Sequence, residues 1–186
     1  MKILSFAATS SKQSINKQLV AYASEQLIGT AGPDAEVEFI DLNDYEMPIY
    51  SIDRERESGV PPEAQTFFSK VREADAVLIS FAEHNGTYTV AFKNVFDWAS
   101  RIEMRLFEGK PMALFSTSLG PGGGKNVLRT ATEALPFFGA DVRGSFSLPD
   151  FFVNFDSEAN RPIQPEHQNK LSQVLDNLLT DISATA

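Results

Sequence analysis

The sequence predicts an α/β fold, a five-stranded parallel sheet in the order 2-1-3-4-5 with helices on both faces. Three observations carry that expectation. Runs of strand character alternate with runs of helical periodicity from end to end. The stretch Ala76-Val77-Leu78-Ile79-Ser80-Phe81 is almost continuously apolar, as a parallel strand covered on both faces must be. The loops after the first, third and fourth strands collect hydroxyls, amides and glycines, at the carboxyl edge where open α/β sheets hold ligands.

The first strand spans Ile3 to Ala7, and Ile15, Leu19, Val20, Ala23 and Leu27 then recur at helical spacing before Gly29. Val37 to Leu42 reads as the second strand. Asn43 to Pro62 reads as irregular, because Pro48, Gly59, Pro61 and Pro62 are poorly tolerated inside a helix. A helix from about Glu63 to Glu73 leads into the Ala76 strand. Phe92, Val95, Phe96, Ala99 and Ile102 make the inner stripe of the next helix. Met112 to Phe115 is the fourth strand, Val127, Leu128, Ala131, Leu135 and Phe138 mark another helix, and Val142 to Leu148 is the fifth strand. Pro149 to Pro165 reads as irregular, before a last helix with Leu171, Val174, Leu175, Leu178, Leu179 and Ile182 on one side. No repeat or linker divides the chain, so one domain over residues 1–186 is expected.

Composition removes several function classes. At 186 residues and 42% hydrophobic, the chain can bury a sizeable single core. A net charge of −9 argues against nucleic acid and anionic membranes, which both require a basic face. Without cysteine there is no disulfide, thiolate metal site or thiol nucleophile. His84 and His167 stand apart from other ligand types, so no metal site is expected, and His167 reads as a solvated residue at the start of the last helix. No apolar run approaches the ~18 residues of a membrane span. The opening run is too short for a secretion signal and Lys12 and Lys17 follow it, so cytoplasmic location is expected.

The first loop carries Thr9, Ser10, Ser11, Lys12, Ser14 and Asn16 where a helix begins, a place suited to an anion; the alternative is that Ser14 merely caps the helix. The third loop, Ser116-Thr117-Ser118-Leu119-Gly120-Pro121-Gly122-Gly123-Gly124, fails as a nucleotide P-loop. Only three residues separate Gly120 from Gly124, and Asn126 follows Lys125. It reads as a glycine turn permitting close backbone approach to a ligand, or as a simple chain reversal. Between them lies Glu83-His84-Asn85-Gly86-Thr87-Tyr88, a turn signal followed by Lys93-Asn94-Val95-Phe96-Asp97-Trp98 on a helix. Asp97 and Trp98 read as residues that fix this helix.

At these residues the chain resembles the NAD(P)H-dependent FMN reductase family, flavodoxin-like proteins that include quinone, azo-dye and chromate reductases. That family's first loop reads roughly G-S-x-R-x-x-S-x-N; Thr9, Ser10 and Lys12 take the places of its glycine, serine and arginine, and Ser14 and Asn16 those of its later serine and asparagine, with one residue fewer between Lys12 and Ser14. Its second signature, P-E-Y-N-x-S then L-K-N-x-x-D-W, becomes Ala82-Glu83-His84-Asn85-Gly86-Thr87 and Phe92-Lys93-Asn94-Val95-Phe96-Asp97-Trp98. The resemblance implies a flavodoxin-like three-layer fold and non-covalent FMN. Its phosphate would lie at Ser10, Lys12, Ser14, Ile15 and Asn16, and its ring by Ala82, Glu83, His84, Asn85, Gly86, Ser116, Thr117, Ser118 and Gly120. It further implies NADPH or NADH as electron donor, a small-molecule acceptor (flavin, quinone, azo compound or metal oxyanion), and ping-pong hydride transfer. No catalytic side chain is implied, because the chemistry belongs to the cofactor. Homodimers or homotetramers are implied too, with Tyr45 to Pro62 and Phe151 to Phe155 as candidate interfaces. The alternative reading is a flavodoxin-type electron carrier or a flavin-binding interaction protein.

Overall fold

The computed structural model describes residues 1–180 and 182. Its elements are β1 (Lys2–Ala8), α1 (Ile15–Ala31), β2 (Glu36–Phe39), α2 (Ile52–Ser58), α3 (Pro62–Glu73), β3 (Ala76–Phe81), α4 (Val90–Ile102), β4 (Pro111–Thr117), α5 (Lys125–Ala134), β5 (Asp141–Leu148), α6 (Phe151–Asn154), β6 (Phe155–Asp156), β7 (Arg161–Pro162) and α7 (Pro165–Leu179). Five strands pair in parallel in the order β2-β1-β3-β4-β5, as expected. Among the described residues no helix is long and apolar enough to cross a membrane.

Alternation along each strand splits the core into two layers, since successive side chains leave a strand on opposite faces. Leu4, Phe6, Val77, Ile79, Phe81, Met112 and Leu114 face one layer, against Phe67 of α3, Phe92 and Phe96 of α4, and Val127 and Ala131 of α5. Ile3, Ala7, Leu78, Ala113 and Phe115 face the other, against Leu19, Ala23 and Leu27 of α1 and Leu171, Leu175 and Leu178 of α7. Two buried hydroxyls on this second face satisfy one another: Ser24 donates to the Val20 carbonyl and accepts from Ser5 at 2.9 Å.

Element ends depart from the sequence reading for local reasons. Helix α1 runs through Gly29, in its exposed last turn, and stops at Gly32, whose φ of 91° ends the spiral. Strand β2 ends at Phe39; Asp41 then accepts from the Asn43 N–H and starts a 3₁₀ turn, Leu42–Tyr45, so Leu42 is not in the strand. The segment read as irregular contains α2, capped by Ser51 and closed by Gly59. That helix buries no side chain, so it left no apolar period to find. Phe138 likewise falls in a 3₁₀ turn, Leu135–Phe138, after α5. The segment after β5 holds α6 and the β6–β7 hairpin. Helix α7 stops at Leu179, and Ile182 packs half-buried on the second layer from a turn beyond it. His167 is not simply solvated: its ring lies 6.0 Å from that of Phe146, and its Nδ1 is buried without a hydrogen-bond partner.

At the amino edge of the sheet, Lys2 lies 3.1 Å from Glu38 and 2.9 Å from Glu73, and Lys70 pairs with Glu38 from α3. The Lys70 ammonium, with Lys2, holds the Glu38 carboxyl below its ordinary 4.5. The folded chain therefore binds fewer protons there than the unfolded chain. The pairing contributes fully above pH 4.5 and is lost as pH falls through the depressed value. Replacing Glu38 with Gln is expected to flatten the acid limb of a stability-versus-pH curve below pH 4.5, read by urea unfolding at each pH.

Tyr88 packs at 5.1 Å from Phe92 and 5.6 Å from Phe81 between ring centroids, but its hydroxyl is buried with no hydrogen-bond partner. Burial pushes that phenol up to about 12. Since an unmade buried hydrogen bond costs ~1–3 kcal/mol, Tyr88→Phe is expected to leave stability unchanged or raise it by about 1 kcal/mol in thermal unfolding.

Candidate functional site

Asn16 joins the three loops at the carboxyl edge. Its side chain is buried on the first turn of α1 and faces the ends of β3 and β4. Its Oδ1 accepts from Ser80 Oγ at 2.7 Å and from the Thr117 N–H at 3.0 Å, and its Nδ2 donates to the Thr117 carbonyl at 3.2 Å. One amide thus engages both polar groups of the Thr117 backbone. The sequence reading placed Asn16 against a ligand; its side chain also makes these three bonds within the protein.

Around it the first loop turns tightly, with Thr9 Oγ1 accepting from the Ser11 N–H at 3.1 Å. Ser14 caps α1, accepting from the Asn16 N–H at 3.2 Å, as the simpler reading had it. Ser10, Ser11, Lys12 and Gln13 are exposed at the positive end of the 17-residue helix α1. Lys17 is turned away, to Asp41.

The second loop is a closed turn. His84 and Thr87 exchange backbone hydrogen bonds of 3.0 and 3.1 Å, and Asn85 and Gly86 both take positive φ, 51° and 80°. Asn and Gly are the residues that tolerate this pair of conformations. Glu83 points out of the turn to α5, where its carboxylate accepts from the Asn126 and Val127 N–H groups at 3.0 Å each. Gly124, at the helix start, has no side chain to cap it, so Glu83 supplies the cap from another loop. Thr89 caps α4 and donates to the Ala8 carbonyl at 2.9 Å, fastening this loop to the end of β1. The sequence reading did not single out Thr89, although a threonine preceding an apolar helical run is a capping signal.

The third loop spends its hydroxyls internally. Ser116 and Ser147 both donate to the Gly123 carbonyl, at 2.8 and 2.9 Å, Thr117 donates to the Leu148 carbonyl at 2.8 Å, and Ser118 to the Gly120 carbonyl at 3.1 Å. Gly123 has φ of 59°, and a Cβ there would lie 2.4 Å from Ser147 Oγ. The close approach that requires this glycine is to β5 of the same chain.

The helix half of the second signature serves a different contact. Asn94 Oδ1 accepts from the Tyr50 N–H at 2.9 Å, its Nδ2 donates to the Met47 and Pro48 carbonyls, and Trp98 Nε1 donates to the Pro48 carbonyl at 2.7 Å. These bonds hold residues 47–50 flat on α4. Asp97 pairs with Lys93 on the helix surface.

The three loops enclose one cleft of about 470 Å³, within the ~300–1,000 Å³ of small-ligand sites. Thr9, Ser11, Gln13, Ser14, Ile15 and Asn16 line one end; Ala82, Glu83 and His84, with Thr117, Ser118, Leu119 and Phe152, line the rest. Ser10 instead lines a neighbouring cavity of about 400 Å³ beside Met47, Ile49 and Val90. Lys12, Asn85, Gly86, Ser116 and Gly120, named from the sequence, belong to the loops that form the cleft but do not line its wall. Leu119 and Phe152 do line it and were not singled out as ligand contacts; nothing in the local sequence marks Phe152, which is brought there by the turn after β5.

A family model described as NADPH-dependent FMN reductase matches residues 1–153. An NADPH:quinone oxidoreductase of Arabidopsis thaliana is 31% identical over 151 residues, covering 77% of this chain and 72% of that protein. An NAD(P)H-dependent FMN reductase of Pseudomonas aeruginosa is 35% identical over 101 residues, 54% of this chain; the match spans 53% of that relative, about half its length. In structure, the flavoenzyme FerB, an NAD(P)H:(acceptor) oxidoreductase from Paracoccus denitrificans, superposes with a TM-score of 0.73 at 22% identity, over 98% of this chain and 97% of the other. At that identity the likeness is one of fold.

If the Asn16 amide holds the carboxyl edge together, Asn16→Leu, close in size but apolar, leaves the Thr117 N–H and Ser80 hydroxyl without their acceptor. The expected cost is about 2–4 kcal/mol in urea unfolding.

Proposed function

The chain belongs to the NADPH-dependent FMN reductase family, and from that premise we propose that it binds FMN in the 470 Å³ cleft and uses NAD(P)H to reduce small acceptors. One observation carries the reading: three loops remote in sequence meet in a single cleft whose ends differ in chemistry. At the start of α1 the exposed Ser11 hydroxyl lines the cleft, and the Ser10 hydroxyl and Lys12 ammonium stand beside it on the same loop at the positive end of the helix, a setting suited to a phosphate. Lys12 replaces the family arginine, keeping charge and giving up the bidentate fork. At the other end Ala82 and His84, at the start of the locked His84–Thr87 turn, line the cleft together with Phe152, a setting suited to a ring system. The residues present therefore fit FMN.

Bound FMN supplies hydride acceptance and electron delivery. The chain's own part is to orient and enclose. Asn16 and Glu83 fix the loops: a carboxamide such as Asn16 has no proton to exchange in catalysis, and the Glu83 carboxylate is already held by two backbone N–H groups. One cleft would serve nicotinamide and acceptor in turn, which favours a ping-pong cycle: NAD(P)⁺ leaves before the acceptor enters. Flavins, quinones, azo compounds and metal oxyanions are the acceptor classes within this reading. We also propose a cytoplasmic homodimer or homotetramer. The pinned 47–50 segment supports this, since it presents Ile49, 65% exposed, beside Val90, 69% exposed; sedimentation of the FMN-loaded protein as a monomer would remove the assembly.

The acidic charge of −9 also suits an electron carrier that docks on a protein partner. Absorption and stopped-flow spectra separate the two. Purified or reconstituted protein is expected to show flavin absorption that bleaches on mixing with NADPH or NADH. A chain that takes up no FMN ends the flavin reading, and a loaded chain inert to both nicotinamides is a carrier. Lys12→Gln is expected to raise the FMN dissociation constant roughly tenfold in fluorescence titration, the loss of one charge-assisted phosphate contact of ~1.5 kcal/mol.

A further inference from the structure

The end of the cleft away from the first loop carries two exposed apolar side chains, and they are built in rather than incidental. Leu119 and Phe152 both line it while remaining 69% and 70% exposed. Phe152 is held outward by its neighbours. Phe151 is fully buried and stacked on Phe155 with centroids 4.7 Å apart, which leaves the next side chain no place in the core. The turn that carries it is bonded to the third loop: the Asp150 N–H donates to the Gly120 carbonyl and the Phe151 N–H to the Ser118 carbonyl, both at 3.0 Å. Asp150 itself has φ of 44°, a left-handed conformation that aspartate tolerates better than most residues and that aims the following turn at the third loop.

Charge points the same way. Among the described residues that line the cleft there is no lysine or arginine, and Glu83, the one charged residue, has its carboxylate held by α5. The sheet order places this wall after β4 and β5, while the Ser11–Ser14 end follows β1, with β3 between. An anion can thus be met at the first loop, while the wall offers it no lysine or arginine and, among basic groups, only the single His84 imidazole.

We propose that Leu119 and Phe152 are specificity-determining residues, an apolar shelf that admits planar uncharged ring acceptors and disfavours compact anions. The inference rests on the flavin reading above. A ring acceptor gains by burying its faces against the two side chains, whereas an anion must shed water there without a compensating charge. For a quinone the balance is NAD(P)H + H⁺ + quinone giving NAD(P)⁺ and hydroquinone. The nicotinamide C–H bond breaks, its electron pair ends on the quinone, and solvent supplies the second proton.

The test compares kcat/KM for 1,4-naphthoquinone and for ferricyanide, a compact trianion, with NADPH as donor. It uses the FMN-loaded full chain as wild type, Phe152→Ser, Leu119→Ser and Phe137→Ser, rates being normalised to flavin absorbance. Phe137 is 80% exposed in the turn before β5, at the opposite edge of the sheet, and serves as control. The naphthoquinone-to-ferricyanide ratio is expected to fall about tenfold in Phe152→Ser and in Leu119→Ser, the scale of discrimination a small apolar contact gives, and to stay at the wild-type value in Phe137→Ser. A ratio unmoved in both shelf variants, or lowered equally in the control, overturns the proposal. A wild-type chain that binds no FMN overturns the function itself instead, so the two failures are distinct.

Discussion

The carboxyl edge of this protein depends on one buried carboxamide. Two strand ends, β3 and β4, stop side by side with polar groups that water cannot reach, and a helix from another part of the chain must satisfy them. Asn16 does so with both ends of its amide: it accepts from Ser80 and the Thr117 N–H and donates to the Thr117 carbonyl. Only a residue carrying donor and acceptor in one plane can meet a backbone N–H and C=O together. A carboxylate in its place would bring a second acceptor to the Thr117 carbonyl, and an apolar side chain would leave three groups unmade. Because α1 is bound this way to β3 and β4, its first turn stands at a set height over the sheet, and the anion-suited end of the cleft is located with it.

From that clasp the remaining loops are tied in sequence. Thr89 fastens the second loop to the end of β1, Glu83 fastens it to the start of α5, and Ser116 and Ser147 fold the glycine turn onto β5 through one carbonyl. The turn after β5 is then bonded to the third loop, which carries Phe152 to the cleft. The site is accordingly a chain of caps and carbonyl contacts in which most polar side chains near the cleft are already engaged. What faces a ligand is largely backbone, exposed hydroxyls and two apolar side chains, a surface suited to holding a cofactor that performs its own chemistry.

Much of the fold was legible because its signals are local and periodic. A strand such as Ala76–Phe81, buried on both faces, can contain little but apolar residues, and the α4 stripe repeats at the helical period. Helix α2 was not legible because it buries nothing; its evidence is a Ser51 cap and a Gly59 stop around a wholly polar surface. The same limit applied to the site. Its loops could be located from composition, yet a hydroxyl in a sequence does not say whether it will meet a ligand or a carbonyl, and Ser116, Thr117 and Ser118 met carbonyls. Asn94 and Trp98, part of a recognisable signature, proved to hold residues 47–50.

By itself the sequence determined the strand order, the two-faced burial of the sheet, the edge at which ligand chemistry gathers and the family to which the chain is similar. Those follow from hydrophobic period, turn residues and motif spacing, which act over a few residues or one crossover. Tertiary structure alone decided which polar groups are spent inside the protein and which remain for a ligand. It also decided that Phe152, more than thirty residues beyond Leu119, shares a wall with it. Such pairings depend on where distant strands end relative to one another, and no local pattern encodes a distance across the sheet.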